Sequence, residues 1–210
     1  MENLGTILLA TGALGTAAFG IVEALKWTRL GEAGFGAILT LLGPLRKTLL
    51  VAYGTDYEQL LRGQYRGDSR DLARSLRQGV RVGLTEEHAK ELASFLGSID
   101  AAMLQTAVRG AETGNELTPE LRNVLGRFEL AADARIDAAL ARAQSLYAGA
   151  ARVTASLLAL SIALVAGLTM AIDRLPLAVL VGIAAVPLAP IAKDLVSALQ
   201  AATKAIGTKA

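Results

Sequence analysis

The chain is poor in the residue types that most catalytic and metal sites need. Cysteine is absent, and histidine occurs once among 210 residues. Disulfides, thiolate metal sites and multi-histidine metal centres are therefore excluded. The sequence also contains no phosphate-binding loop and no Gly-x-Ser-x-Gly nucleophile elbow. We expect no enzyme activity, no cofactor and no bound metal, and we expect His88 to have a structural or surface role.

Aromatic residues and charges are also scarce. Aromatic residues make up 4% and charged residues 19% of the chain, whereas a soluble domain has about 25% charged residues. The hydrophobic fraction is 53%, and the mean hydropathy is +0.44. This hydrophobicity comes from alanine, leucine, valine and isoleucine, a mixture that favours helices packed closely in lipid. The net charge is only +2, and no segment has the basic excess of a nucleic-acid-binding domain.

Three long apolar runs predict transmembrane helices. Leu4–Leu25 contains one charge, Glu23, and Val153–Ile172 contains none in 20 residues. About 20 helical residues cross a hydrocarbon layer of about 30 Å. Leu175–Ala192 is a third run, of 18 residues, with prolines near its end that predict a kink or an early end. The start of the chain, Met-Glu-Asn, lacks the positive charge of a signal peptide, so we do not expect cleavage.

A fourth segment is ambiguous. Ala33–Leu45 is apolar but only 13 residues long; the Gly43-Pro44 pair interrupts it, and Arg46 and Lys47 follow. It is either part of a helix over about 30–53 with two cations inside it, a shorter tilted element, or a re-entrant segment. The two cations then either extend to the lipid headgroups or face a polar pathway.

Counting this segment, the sequence predicts an all-α integral membrane protein with four transmembrane helices in two hairpins. The hairpins comprise residues 1–53 and 153–210, the second with a short amphipathic tail. Residues 54–152 form a helical domain between them. The positive-inside rule places this domain and both termini in the cytoplasm, in a multi-pass protein of the cell inner membrane. Lys26 and Arg29, in the first outer loop, argue against this topology.

The middle region has the pattern of a long, coiled-coil-like helical hairpin. Thr85 is the expected N-cap of the first arm. The apolar positions of this arm follow spacings of 4, 3 and 4, namely Leu92, Leu96, Ile99 and Met103. A second helix starts at Thr118-Pro119, and no strong helix breaker occurs before Ile172. We therefore expect one helix of about 80 Å that enters the membrane directly.

A stripe of arginines follows the first hairpin. Its members fall on one side of a helix, and they are Arg62, Arg66, Arg70, Arg74, Arg77 and Arg81. We interpret this basic stripe as a face that contacts lipid, and anionic lipid in particular. A solvated face, a basic vestibule for anions and a surface for a partner are the alternatives.

Small residues share one face of the first apolar run. They are Gly5, Gly12, Thr16 and Gly20, with Glu23 at the end of the same face. Small residues four apart allow close helix contacts in membranes. The face therefore predicts helix packing, or alternatively the lining of a narrow pore.

Two functions are compatible with these features of the sequence. The first is a homo-oligomeric inner-membrane channel or transport pore formed between subunits, with Glu23, Arg46 and Lys47 on its polar pathway. The alternative is a membrane-anchored scaffold, or an assembly or motor-type subunit, whose cytoplasmic hairpin binds a protein partner. In both cases the expected partners are the lipid bilayer, possible anionic lipids within it, and other copies of the chain.

Overall fold

Helices joined by short turns make up the part of the chain that the structure describes. The structure is a computed structural model and describes residues 4–25, 29–67, 69–170 and 175–187. No strand occurs among these residues, so the prediction of an all-α protein is confirmed. The chain divides into two compact units, Gly31–Tyr147 and the combination of Met1–Leu30 with Ala148–Ala210. We call the first the helical domain and the second the apolar unit.

The helical domain contains six short helices and the first part of a long one. A 3₁₀ turn, Arg29–Glu32, precedes them. The helices are α2 (Phe35–Leu42), α3 (Leu45–Tyr53), α4 (Tyr57–Arg66), α5 (Ser69–Val82), α6 (Glu86–Leu96), α7 (Ala101–Glu112) and α8 (Pro119–Met170). The apolar unit contains α1 (Leu4–Ala24), the second part of α8, and α9 (Leu175–Pro187).

One apolar core holds α2 to α8 of the helical domain together. The first part of α8 turns a single face to this core, at spacings of 4 and 3: Val124, Phe128, Ala132, Ile136, Ala139 and Ala143. Phe128 has no exposed surface, and burial of such a side chain contributes about 1.5–3 kcal/mol.

Helices α3 and α5 approach each other at glycine. A Cβ atom at Gly83 would lie 1.8 Å from the carbonyl oxygen of Thr48, and one at Gly79 would lie 2.6 Å from the ring of Tyr53. Only residues without a side chain allow this distance between the two backbones. α3 therefore belongs to the packed interior of the helical domain.

The ambiguous segment is two helices rather than one. α2 and α3 meet at an angle of 107°, and Gly43 at the bend has a φ of +50°. Ile38, Leu42 and Leu49 are fully buried in the core of the helical domain. The structure therefore groups residues 31–53 with the helical domain, whereas the sequence placed a domain boundary after residue 53.

The first arm of the predicted hairpin is broken, and the prediction of one continuous coiled-coil seam is wrong. Gly97 ends α6 with a φ of +73°, and Asp100 caps α7 by accepting a hydrogen bond from the amide of Met103 at 2.9 Å. The two helices fold back on each other as a short hairpin of their own. Thr85 precedes α6 in an extended conformation, but its hydroxyl caps no amide.

Helix α8 confirms the prediction of one long helix. It runs for 52 residues, about 78 Å at 1.5 Å per residue. The hydroxyl of Thr118 accepts a hydrogen bond from the amide of Leu121 at 3.4 Å, as expected of an N-cap. Among the described residues, Pro119–Thr169 is the one helix that is long and apolar enough to cross a membrane. The bent α2–α3 pair passes the same test only when it is counted as one span.

Candidate functional site

The predicted polar-pathway cations Arg46 and Lys47 both have carboxylate partners. Arg46 donates from Nε to the hydroxyl of Tyr57 at 3.0 Å and forms an ion pair with Glu58. Lys47 pairs with Glu91 on α6, with 2.5 Å between Nζ and Oε2. The hydrogen bond to Tyr57 raises the pKa of Arg46 above its ordinary value, and burial raises the pKa of Tyr57. Both cations lie at the rim of an open groove of about 390 Å³ beside the α2–α3 bend.

The bend itself is held from the opposite helix. A bend in a helix frees backbone carbonyls that then need another donor. Arg135 on α8 supplies one, because its Nε donates to the carbonyl oxygen of Leu41 at 2.8 Å. The same guanidinium stacks over the ring of Phe95, 5.0 Å from its centroid. Arg135 therefore connects α8, α6 and the bend in one contact set.

The basic stripe divides into two parts with different partners. On α4, Arg62 and Arg66 both pair with Glu32 in the turn before α2. Arg62 also lies over the ring of Phe35 at 5.1 Å. At this end of the stripe, the two arginines that we interpreted as facing lipid therefore form ion pairs with an acid of the same chain.

On α5, the partners of the stripe come mainly from α8. Arg77 pairs with Asp133 and Asp137, and Arg81 pairs with Glu129 and Asp133. The three acids are spaced by four residues, so they form a matching stripe along one side of α8. Arg74 contacts Asp71 on its own helix at 3.5 Å.

The packing face of α1 differs from the predicted one. Thr11, Gly12, Gly15, Ala18 and Val22 are buried, whereas Thr16 and Gly20 are exposed. A Cβ atom at Gly20 would meet nothing within 4 Å. The surroundings of Gly5 and the side chain of Glu23 lie outside the described residues.

The apolar unit has its small residues inside and its large residues outside. Every fourth residue of α8 from 151 to 163 is buried, and all four are alanine: Ala151, Ala155, Ala159 and Ala163. On the outer side, Val153, Leu157 and Val165 are each 61% exposed, and Leu168 is 59% exposed. A protein core in water has the reverse arrangement, with the large side chains inside.

Glycine allows α8 and α9 to pack at nearly backbone contact. A Cβ atom at Gly182 would lie 2.9 Å from the Cβ of Ala163 and 3.0 Å from the Cα of Leu160. A Cβ atom at Gly167 would lie 2.9 Å from that of Ala178. Helices associate in lipid by close approach through small residues, because moving an apolar side chain from lipid into a helix interface gives no hydrophobic free energy.

Several of these residues were not identified from the sequence. Glu32 and the acid stripe at 129, 133 and 137 pair with arginines of the basic stripe, and Arg135 binds the carbonyl of Leu41 at the bend. The four-residue spacing of the α8 acids was a readable signal. The predicted absence of a metal site stays a prediction, although no group of three or more metal-ligating side chains occurs among the described residues.

Comparison with protein-family models, with curated proteins and with solved structures finds no match to this chain.

Proposed function

We propose that the chain is a membrane-anchored scaffold. The apolar unit inserts in the bilayer, and the helical domain stands in water on the cytoplasmic side. The observation that carries this proposal is the arrangement of α8 over 151–168, with alanine inside and exposed valine and leucine outside. An exposed surface of valine and leucine side chains is stable in contact with lipid, whereas an apolar patch of this extent in water promotes association.

The proposal has three spans instead of four. They are the apolar runs Leu4–Leu25, Val153–Ile172 and Leu175–Ala192, of which 171–174 and 188–192 lie outside the described residues. α2 and α3 are left out because five of their large side chains are buried in the core of the helical domain, namely Phe35, Ile38, Leu42, Leu45 and Leu49, while Leu50 and Val51 are about half exposed. Removing one span changes the side of the N-terminus, which then lies opposite the helical domain, while the C-terminus remains on the domain's side.

The charges that flank the spans support this topology. With three spans, the side of the helical domain receives Lys26, Arg29, Arg152 and Lys193, and the other side receives only Arg174 in its short loop. Lys26 and Arg29 argued against the four-span topology and agree with the three-span one. The positive-inside rule then places the helical domain in the cytoplasm.

The ion pairs favour a scaffold over a pore. A selectivity element needs charges that face the permeating ion. Arg46 and Lys47 instead neutralise Glu58 and Glu91 within the helical domain. The α6–α7 hairpin lies in a segment, 84–117, that carries six acidic and two basic residues. This surplus of acids suits a basic surface on a cytoplasmic protein partner.

Cysteine labelling tests the topology, because the chain has no cysteine of its own. Asn3, Thr28, Ser69 and Asp173 are replaced by Cys one at a time. In spheroplasts, a membrane-impermeant maleimide should label positions 3 and 173 but reach 28 and 69 only after lysis, which is the control for reactivity. Labelling of position 28 together with protection of position 3 would restore the four-span topology.

Ion flux tests the function. Purified full-length protein in liposomes should leave the ion permeability of the vesicles unchanged. Vesicles with a known channel serve as the positive control. Selective conductance that scales with protein content would overturn the scaffold and favour the pore.

A further inference from the structure

A small pocket lies where α7 and the first part of α8 meet the turn between α5 and α6. Its volume is about 200 Å³. Its floor is apolar and consists of Leu84, Val108, Leu125 and Phe128. The charged residues at its edge are exposed, and they are Arg81, Glu112 and Glu129.

The size of the pocket suits one large side chain. Sites for cofactors and drug-sized ligands have volumes of about 300–1,000 Å³, whereas an apolar cavity of about 150 Å³ holds a molecule of the size of benzene. The pocket therefore admits the side chain of a leucine, methionine or phenylalanine but not a whole cofactor. In protein interfaces, pockets of this kind hold the few large side chains that supply most of the binding free energy.

The charges at the edge of the pocket favour a basic neighbour. Glu112 is the last residue of α7, where the helix dipole is negative. Its Oε1 accepts a hydrogen bond from the amide of Glu86 at 3.1 Å, and none of the ion pairs within the described residues includes it. Arg81 and Glu129 pair with each other at 3.5 Å, so the negative charge of Glu112 is left for a cation of another molecule.

The segment around the pocket does not offset this charge. Residues 84–117 carry six acidic and two basic residues, and one of the two basic residues, Arg109, is paired with Glu86. A basic molecule that approaches this end of the helical domain therefore meets a complementary charge.

The pocket is too far from the proposed span for lipid to reach it. Leu125 and Glu129 precede Val153 by about 36–42 Å along the continuous helix α8. The headgroup layer on each side of a bilayer is only about 5–8 Å thick. The occupant is therefore a molecule from the aqueous phase.

We propose that this pocket receives one large apolar side chain of the cytoplasmic partner, and that a lysine or arginine beside it in the partner pairs with Glu112. Burial of the apolar side chain supplies the affinity, and the ion pair fixes the orientation of the partner and speeds its association. The inference rests on the proposed function, because it assigns a docking site and a chemistry to the partner of the scaffold.

Peptide selection on the full-length protein tests the proposal. A phage-displayed library of short random peptides is selected on the protein in nanodiscs, and empty nanodiscs remove the peptides that bind lipid. The enriched peptides should share one large apolar residue with a lysine or arginine close to it in sequence. Fluorescence anisotropy then measures the affinity of one enriched peptide for the wild type and for four variants.

The variants form two matched pairs. Ala111→Trp fills the pocket from an exposed position on α7 and should weaken binding at least tenfold, whereas Ala102→Trp, exposed on the same helix outside the pocket, should change it by no more than about twofold. Glu112→Gln should weaken binding roughly fivefold, by an amount that falls with added salt. Glu87→Gln, an exposed acid that does not line the pocket, should leave the affinity unchanged.

Three results would overturn the site: no enrichment over empty nanodiscs, enriched peptides that are acidic, or equal affinities of Ala111→Trp and Ala102→Trp. Alkaline extraction of cell membranes reports separately on the anchor. Protein that stays in the membrane but selects no basic peptide would refute this inference alone. Protein that alkali releases would refute the anchor, and the peptide affinities would still decide on the pocket.

Discussion

Replacing Arg135 by Met should loosen the bend between α2 and α3. The variant removes the donor to the carbonyl of Leu41, at 2.8 Å, and the stacking on Phe95, at 5.0 Å. The hydrogen bond is half-buried, and a hydrogen bond to a charged group contributes about 1.5–3 kcal/mol, while loss of a cation–π contact costs about 0.5–1 kcal/mol. Met retains an unbranched apolar stem that can fill the same space. We therefore expect the helical domain to lose about 2–3 kcal/mol, or roughly 10 °C in Tm for a domain of this size.

Thermal unfolding by circular dichroism in mild detergent measures this change. Arg142→Met is the control, because Arg142 is exposed on the same helix and a surface substitution there should change stability by no more than about 0.5 kcal/mol. An Arg135→Lys variant separates charge from geometry, since Lys keeps the charge but not the planar group that stacks on the ring. Equal melting temperatures for Arg135→Met and Arg142→Met would refute the role assigned to Arg135.

Three further predictions concern other parts of the fold. Gly83→Ala should destabilise the helical domain by about 1–3 kcal/mol in the same melts, because its Cβ meets the carbonyl of Thr48; Gly63→Ala, which meets nothing within 4 Å, should be neutral or stabilising. Gly182→Leu should separate α9 from α8 and increase proteolysis of the detergent-solubilised protein, whereas Gly149→Ala, in open space, should not. The hydrogen bond from Arg109 lowers the pKa of Glu86 below its ordinary 4.5. The stabilising contribution of the Glu86–Arg109 pair is therefore complete above about pH 4.5 and is lost as the pH falls through the lowered pKa of Glu86 in the folded state. Glu86→Gln should accordingly flatten the acid side of a Tm-against-pH curve.

The long helix was predictable because nothing in its sequence opposes a helix. Between Pro119 and Met170, only three glycines interrupt residues that favour a helix, and each costs about 1 kcal/mol at most. The break at Gly97 was missed although its signals were present. A glycine that can take a positive φ is followed three residues later by Asp100, a good N-cap. The apolar spacing continued across this turn by coincidence, and periodicity alone does not show that the chain reverses its direction between α6 and α7.

The long-range partners of Arg77 and Arg135 could not be read from the sequence. Arg77 and Asp137 are 60 positions apart, and Arg135 and Leu41 are 94 positions apart. Which residues meet at such separations depends on how α2 to α8 pack. Local spacing placed the arginines on one helix face correctly, but it could not show that α8 carries acids opposite Arg77 and Arg81.

Two apolar segments with similar sequence signals turn their large side chains in opposite directions. In α2 and α3, Ile38, Leu42 and Leu49 point to the interior and have no exposed surface. In α8 over 151–168, alanine fills the interior, and Val153 and Leu157 are turned outward. A hydropathy value sums over the side chains of a segment and does not depend on the direction in which they point. A core in water gains by burying large apolar side chains, whereas helices in lipid gain by close backbone approach, which needs small ones. Residues 31–53 therefore meet the requirement of a domain interior, residues 151–168 meet that of a span, and the number of spans we propose follows from this difference.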